Sequence, residues 1–375
     1  MNAANADVIV IGAGIVGAAC VYALAREKLR VTVVEAGLIG GGATAAGMGH
    51  VVVMDDSPAQ FALTHYSQQC WREIIEDLTK DCEYEACGTL WVAADDEEME
   101  AVRHKQDGYQ RHGVAAERLD PAALAGAEPH LRPGLAGGLR VPGDFVIYPP
   151  CVARWLIERA RDHGAEVRLG VSVREITGDG CRLSDGTLLS VPTVVIATGA
   201  RAPELTPGLP LRPRKGHLII TDRYPDFIHH QLIELGYLKS AAAVAGDSVA
   251  FNVQPRITGQ LLLGSSRQYD DATCEVDMVL LRKMIARAQE YMPALASLSA
   301  IRIWTGFRDA TPDKLPMIGP WPGQDHLYLA TGHEGLGITM CLGTAQLLTD
   351  HILGRDSAIP REPYLPSRLV SGGKP

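Results

Sequence analysis

Three patterns that would assign this sequence to well-defined protein classes are missing from it. Its eight cysteines form no C-x-x-C pair and no Cys/His spacing that would hold zinc or an iron–sulfur cluster. No apolar run approaches the roughly 20 residues of a membrane span. Lys and Arg are not clustered and the formal net charge is -9, so we do not expect a nucleic-acid-binding surface. No Lys or Arg precedes Arg26, so we expect no signal peptide and a cytoplasmic protein with free thiols.

The composition is otherwise that of an ordinary globular protein. The chain has 375 residues, of which 46% are hydrophobic and 21% charged, and this predicts two domains with large buried cores. Glycine is abundant at 39 residues, and it is concentrated in a few stretches. These glycine clusters are the first indication of function.

The first glycine cluster lies inside a predicted strand–helix–strand unit. A β-branched run at residues 7–11 precedes the glycines, an Ala-rich helix follows them, and the next apolar run ends in Glu35. Gly12 allows a tight turn, Gly14 lets the backbone approach a pyrophosphate, and Gly17 lets helix and strand pack closely. Glu35 would accept hydrogen bonds from ribose hydroxyls. The unit therefore predicts a dinucleotide site, and a glycine turn without a ligand is the less favoured alternative.

A second cluster, residues 40–50, has almost no bulky side chains. Such a segment cannot form a core, so we predict a loop whose backbone lies close to a ligand, rather than a flexible linker. Because the loop follows Glu35 directly, the expected occupant is a flavin dinucleotide extending from the first site.

The remaining chain alternates between two patterns of predicted secondary structure. A buried strand that ends in small residues is predicted at 191–200, and another at 327–330 leads through a glycine-rich turn into a helix ending near Leu353. Between them the pattern changes to longer strands with one helix at 276–291. We therefore predict interleaved domains: an FAD-binding domain of residues 1–80, 146–205 and 305–375, and a substrate-binding domain of residues 81–145 and 206–304.

Five motifs resemble one family of flavoenzymes over nearly the whole chain. They are the Gly12, Gly14, Gly17 and Glu35 fingerprint, the loop from Gly42 to Gly47, the strand Val195–Ala200, the segment Gly306–Gly319 and the turn Gly332–Gly337. The family is the glycine oxidase, sarcosine oxidase and D-amino-acid oxidase/dehydrogenase group. Asp309 stands where this family usually has Pro. The resemblance implies an α/β fold like that of glutathione reductase, with a Rossmann-type FAD domain interleaved with a smaller α+β substrate domain built on an antiparallel sheet.

Within that family, the residues 47–50 and 254–267 look most like the catalytic (beta) subunits of heteromeric D-hydroxyproline or opine dehydrogenases. This finer resemblance implies partner subunits that carry further redox groups, with FMN or an iron–sulfur cluster expected only there.

The resemblance also implies a set of site residues. By this resemblance Arg308 would bind the substrate carboxylate. Independently of the resemblance, His50, His217 and His333 are candidates for contacting substrate or tuning the flavin, and glycine-rich neighbours favour His50 and His333. No metal ligands are expected. The FAD would be non-covalent, because Gly306 and Phe307 occupy the region where monomeric sarcosine oxidases carry a cysteine. Val173 would read the adenine through its backbone. The residues expected to bind the cofactor are Gly12, Gly14, Ile15, Val16, Gly17, Glu35, Ala36, Gly42, Ala43, Thr44, Gly47, Met48, Gly49, Val173, Thr198, Gly199, Ala200, Arg308, Gly332, His333, Gly335, Leu336, Gly337, Ile338 and Thr339.

The predicted reaction is oxidation of a small amino or imino acid to the imine, by hydride transfer to flavin N5. The expected electron acceptor is a partner subunit or a quinone. Three alternatives stay open on the sequence: a glycine- or sarcosine-type oxidase that uses O2, a flavin-bearing subunit without its own substrate, and an NAD-dependent reductase. The last leaves the second glycine cluster without a role.

Overall fold

The computed structural model describes residues 6–236, 246–269 and 271–369. The helices are α1 (Ile15–Arg26), α2 (Ala43–Ala46), α3 (Pro58–Arg72), α4 (Asp96–Arg111), α5 (Pro121–Ala127), α6 (Pro149–Asp162), α7 (Met278–Tyr291) and α8 (Gly337–Ile352).

The strands fall into four sheets. Their bounds are β1 (Val8–Ile11), β2 (Val31–Glu35), β3 (His50–Val51), β4 (Thr89–Ala93), β5 (Glu117–Leu119), β6 (Gly137–Val141), β7 (Phe145–Val146), β8 (Glu166–Leu169), β9 (Val173–Thr177), β10 (Gly180–Leu183), β11 (Leu188–Ser190), β12 (Thr193–Ile196), β13 (Arg212–Arg223), β14 (Gln231–Glu234), β15 (Ser248–Pro255), β16 (Gln260–Arg267), β17 (Ala300–Ala310), β18 (Met317–Trp321) and β19 (Gln324–Thr331).

The first sheet has six strands in the order β18-β19-β12-β1-β2-β8, parallel except for the β18–β19 pair. Alternate residues of β1 lie on the two faces of this sheet. Val8 and Val10 pack with the helices α1, α6 and α8, while Ile9 and Ile11 pack with the small antiparallel sheet β11-β10-β9. Both faces are covered, which explains why these strands are continuous apolar runs in the sequence.

The second large sheet has eight strands in the order β17-β13-β16-β15-β14-β4-β6-β5. It is antiparallel except where β14 runs parallel to β4. Asp277 caps helix α7, because its side chain accepts hydrogen bonds from two amides of the first turn. The helix covers one face of the sheet through Leu281 and Met284. On the opposite face, Leu218 and Leu262 of the sheet pack against Met48, and the three side chains form a small separate cluster.

The strands of the two large sheets alternate along the chain. The strands of the six-stranded sheet lie within residues 8–35, 166–169, 193–196 and 317–331, and those of the eight-stranded sheet lie within 89–141 and 212–310. The predicted domain boundary at residues 304/305 falls inside β17, because this strand continues to Ala310. The division into two domains stays a prediction.

Candidate active site and cofactor cavity

One large cavity runs between the two main sheets. It encloses about 840 Å³, which lies within the usual size range of ligand sites, and extends from the ends of β1 and β2 to the face of the eight-stranded sheet. Strand β1 lies between β2 and β12, so the sheet order reverses there. In open parallel sheets, ligands bind at the carboxyl ends of the strands at such a point.

Close backbone contacts at β1 explain two of the fingerprint glycines. A Cβ at Gly12 would lie 2.7 Å from the carbonyl oxygen of Ala197, and the φ of Gly12 is +102°. A Cβ at Gly17 would lie 2.0 Å from the carbonyl oxygen of Gly12. Gly17 therefore allows α1 to pack on the turn, as the sequence predicts, and it is not part of the cavity wall.

Glu35 organises the turn from the end of β2. Its Oε2 accepts a hydrogen bond from the amide of Ala13 (2.7 Å), and its Oε1 accepts one from the amide of Gly37 (2.6 Å). An ionised carboxylate offers about four lone-pair sites, so these two bonds leave acceptor capacity for ribose hydroxyls. Glu35 and Val173 both line this end of the cavity.

The second glycine cluster is not entirely a loop, which corrects the prediction. Residues Ala43–Ala46 form the one-turn helix α2, and Thr44 Oγ1 accepts a hydrogen bond from the amide of Ile15 at 2.9 Å. A Cβ at Gly306 would lie 2.4 Å from Cβ of Ala46. The small residues of this segment thus let α2 fit between α1 and β17, which is a tertiary contact invisible to local sequence patterns.

The residues after α2 are fixed to the eight-stranded sheet and to helix α8. The Gln254 side chain donates to the carbonyl of Met48 (2.8 Å), and the Gln231 amide lies 2.9 Å from Nδ1 of His50. Thr339 Oγ1 donates to the carbonyl of His50 at 3.0 Å. Met48, Gly49 and His50 line the cavity, whereas Thr339 lies behind its wall.

Asp309, the residue that departs from the family pattern, joins β17 to the glycine-rich turn before α8. Its Oδ2 accepts hydrogen bonds from the amide of Gly332 (2.7 Å) and the hydroxyl of Thr331 (3.0 Å). Its carbonyl accepts one from the amide of Glu334 at 3.2 Å. This arrangement places the first amides of α8, at Gly337 and Ile338, at the cavity, where the helix dipole favours negative charge.

Arg308 reaches the cavity from the neighbouring position of β17. Its Nη1 donates to the carbonyl of Ser266 at 3.0 Å. A Cβ at Gly216 would lie 2.4 Å from the same Nη1, and a Cβ at Gly335 would lie 3.2 Å from Cδ of Arg308. Two glycines therefore make room for this side chain and restrict its position.

A second arginine lies directly across the ladder. Arg214 of β13 is the register partner of Arg308, so the two side chains share one face of the sheet. Glu334 pairs with Arg214, with Oε1 lying 2.7 Å from Nη2, and the two side chains are only 10% and 5% exposed. Neither residue was predicted from the sequence to have a role. The available signal was an acidic residue inside a glycine-rich turn, and its partner became apparent only from the pairing of β13 with β17.

The histidines of the site are neutral. Burial lowers the pKa of His50 to about 3, with the Arg308 charge acting in the same direction. Burial lowers the pKa of His333 to about 4, and its Nε2 lies 3.0 Å from Thr344 Oγ1 on α8. Both line the cavity. His217 does not, because its two ring nitrogens bond Ser266 and the amide of Asp277.

The predicted cofactor residues come together along this cavity with three exceptions. Gly17, Gly332 and Thr339 lie behind the wall, where they support α1, the Asp309 turn and β3 respectively. The predicted residues that line the cavity are Gly12, Gly14, Ile15, Val16, Glu35, Ala36, Gly42, Ala43, Thr44, Gly47, Met48, Gly49, His50, Val173, Thr198, Gly199, Ala200, Arg308, His333, Gly335, Leu336, Gly337 and Ile338.

The cavity fits a flavin dinucleotide. Gly42 and Gly199 line it, and a Cβ at either position would meet no protein atom within 4 Å, so both glycines border open space. Glu35 and Val173 would hold the adenosine, and the turn at Gly12–Gly14 would hold the pyrophosphate. Residues 47–50 together with the start of α8 would hold the ring system. In the described part of the chain, no group of His, Cys, Asp and Glu side chains is arranged to hold a metal.

These features define an FAD-dependent oxidoreductase. Residues 7–351 match the model of the family described as FAD dependent oxidoreductase (DAO), and the chain belongs to this family. The predicted cofactor and enzyme class are thereby confirmed.

Similar proteins agree with that assignment. Glycine oxidase of Pseudomonas putida is 30% identical over 96% of this chain and 98% of its own length. D-amino acid dehydrogenase of Methylobacterium nodulans is 28% identical over 82% of this chain and 73% of its own. The crystal structure of L-proline dehydrogenase from P. horikoshii superimposes with a TM-score of 0.89 at 22% identity, covering 98% of both chains. The predicted fold class is confirmed.

Among the described residues, no helix is both long and apolar enough to cross a membrane. All eight cysteines are free, and five of them are buried.

Proposed function

We propose that the protein is an FAD-dependent dehydrogenase that oxidises a small amino or imino acid to the imine. D-proline, D-hydroxyproline and opines are the proposed substrates, and a partner subunit or a quinone is the proposed electron acceptor. The observation that carries the proposal is Arg308, held at the flavin end of the cavity by Ser266, Gly216 and Gly335. A planar guanidinium binds a carboxylate with two parallel hydrogen bonds and stays charged at any working pH.

The charge balance at this end of the cavity supports an anionic substrate. The wall includes the cations Arg214, Arg267, Arg308 and Lys314. Acidic wall residues there are Asp56, Asp309 and Glu334, and Asp309 bonds backbone and hydroxyl groups of the turn. Burial raises the pKa of Asp56, while Lys105, Lys314 and Arg267 oppose that rise. The excess of cations favours a ligand with at least one carboxylate.

Bound FAD supplies a two-electron acceptor for the hydride that leaves the substrate carbon. The chain's own residues orient the substrate and exclude water. The neutral His50 and His333 contribute no positive charge near the ring system, so the amides at the start of α8 would carry that role.

Anaerobic mixing with D-proline, D-hydroxyproline, sarcosine, glycine and opines tests the proposal through loss of the visible flavin absorbance. We expect at least one of these compounds to bleach the flavin completely. A protein that retains FAD and is bleached by none would instead be a flavin-bearing subunit without its own substrate.

A glycine- or sarcosine-type oxidase is the second candidate function. The observation in its favour is the 30% identity to Pseudomonas putida glycine oxidase over nearly the whole length of both chains. Reduced protein that reoxidises within seconds in air would support the oxidase. Slow reoxidation in air, with fast reoxidation by a soluble quinone, would support the dehydrogenase.

A further inference from the structure

Glu334 has one carboxylate oxygen committed and one that is not. Oε1 pairs with Arg214 at 2.7 Å. Oε2 is buried and makes no hydrogen bond within the described part of the chain. A buried acceptor without a partner costs stability, and native proteins generally satisfy such atoms with a ligand or water. The second oxygen therefore marks a place where a donor is expected.

The position of Glu334 makes the substrate that donor. Its amide bonds the carbonyl of Asp309, which fixes it beside Arg308, and both Glu334 and Arg308 line the cavity. The φ of Glu334 is 48°, a left-handed conformation that is uncommon outside glycine. The turn keeps an acidic residue in an unfavourable backbone conformation next to the arginine that is proposed to bind the carboxylate.

The sheet register shows how the two arginines differ in role. Arg214 and Arg308 are directly opposite, and like charges in that position destabilise a ladder unless they are compensated. Glu334 compensates Arg214. Arg308 donates to the carbonyl of Ser266 and lines the same cavity as Glu334.

We propose that Glu334 binds the nitrogen of the substrate: its Oε2 accepts a hydrogen bond from the amine or imine-forming N–H while Arg308 binds the carboxylate. This inference rests on the proposed function and deepens it, because it assigns the residue that separates amino and imino acids from carboxylic acids lacking nitrogen. Burial raises the pKa of Glu334, against the charges of Arg214, Lys314, Arg267 and Arg308.

The test compares two ligands on one protein. The first is the amino acid that bleaches the flavin best, with its dissociation constant taken from the saturation of the anaerobic reduction rate. The second is the carboxylic acid in which CH2 replaces the nitrogen, such as cyclopentanecarboxylate for D-proline, measured by its competition and by its shift of the flavin spectrum. In the unmodified protein we expect the amino acid to bind on the order of 10- to 100-fold more tightly, the usual range for a hydrogen bond to a charged group.

Glu334→Gln should remove most of that difference. Gln retains the shape and an oxygen for Arg214 but loses the charge, so binding of the amino acid should weaken relative to binding of the carboxylic acid. Glu83→Gln is a matched control. Glu83 also has a left-handed φ (47°) and pairs with a buried arginine, Arg256, but it is not part of the cavity wall.

Several outcomes would overturn the inference. One is equal binding of the two ligands by the unmodified protein, a measurement that needs no variant to fold. Another is a Glu334→Gln protein that holds FAD and discriminates as before, which would reduce Glu334 to a partner of Arg214. If no amino acid bleaches the flavin, the proposed function fails. The shifts of the flavin spectrum caused by D-proline and by cyclopentanecarboxylate then still decide whether Glu334 distinguishes the two ligand classes.

Discussion

Replacement of Arg308 tests the substrate site most sharply. The side chain is held by Ser266 and by the space at Gly216 and Gly335, so Arg308→Lys places a smaller, single-point charge in a site shaped for a fork. Arg308→Ala removes the charge altogether. Two hydrogen bonds to a carboxylate, each contributing about 1.5–3 kcal/mol, give an expected loss of about 3–6 kcal/mol for Ala, which is on the order of 10²- to 10⁴-fold in the substrate dissociation constant.

The assay is the concentration dependence of anaerobic flavin reduction, with the flavin content of each variant measured first. We expect Lys to fall between the original protein and Ala, and all three to retain FAD. Arg302→Ala is the control, because Arg302 is an exposed residue six positions earlier on the same face of β17. An unchanged dissociation constant for the Arg308→Ala protein would refute the assignment of the carboxylate site.

Three further predictions concern the supports of the site. Asp309→Ala should lower the free energy of unfolding by about 2–4 kcal/mol in urea titrations, because two buried donors lose their acceptor. Asp325→Ala is the control, since Asp325 is exposed. Equal free energies of unfolding for the two variants would contradict the role of Asp309. His50 has a folded pKa of about 3 against about 6.5 unfolded, so the unfolded chain binds the proton between these values and stability falls with pH below 6.5. Between pH 7 and pH 5 the free energy of unfolding should fall by about 2 kcal/mol because of this residue. The His50→Gln protein should lose that part of the pH dependence. If both proteins lose stability equally between these pH values, His50 is not a neutral buried residue. Cys274 is exposed and lines the cavity, so a thiol reagent should alkylate it first and a bound carboxylic acid should slow the reaction; labelling at the same rate with and without ligand would place the ligand elsewhere.

The sequence was most informative where function depends on neighbouring residues. The β1–α1–β2 unit was predicted to within a residue at its strands because its signal is local: β-branched runs, a glycine turn and a terminal Glu35. The strand before α8 was predicted for the same reason.

The missed features depend on contacts between distant segments. Helix α2 forms because Gly306 of β17 leaves space for Ala46, a contact across 260 residues. Arg214 and Glu334 become a site only when β13 pairs with β17 and Asp309 fixes the turn. The histidines were predicted as candidates by type, but burial makes them neutral, and burial is not visible in a list of residues.

The most direct test of the account is a single-turnover titration of the FAD-bound protein with the best amino or imino acid in the absence of oxygen. The account predicts that one equivalent of substrate bleaches one equivalent of flavin and yields one equivalent of imine or its hydrolysis product. A protein whose FAD is reduced by dithionite but by no amino or imino acid would contradict it.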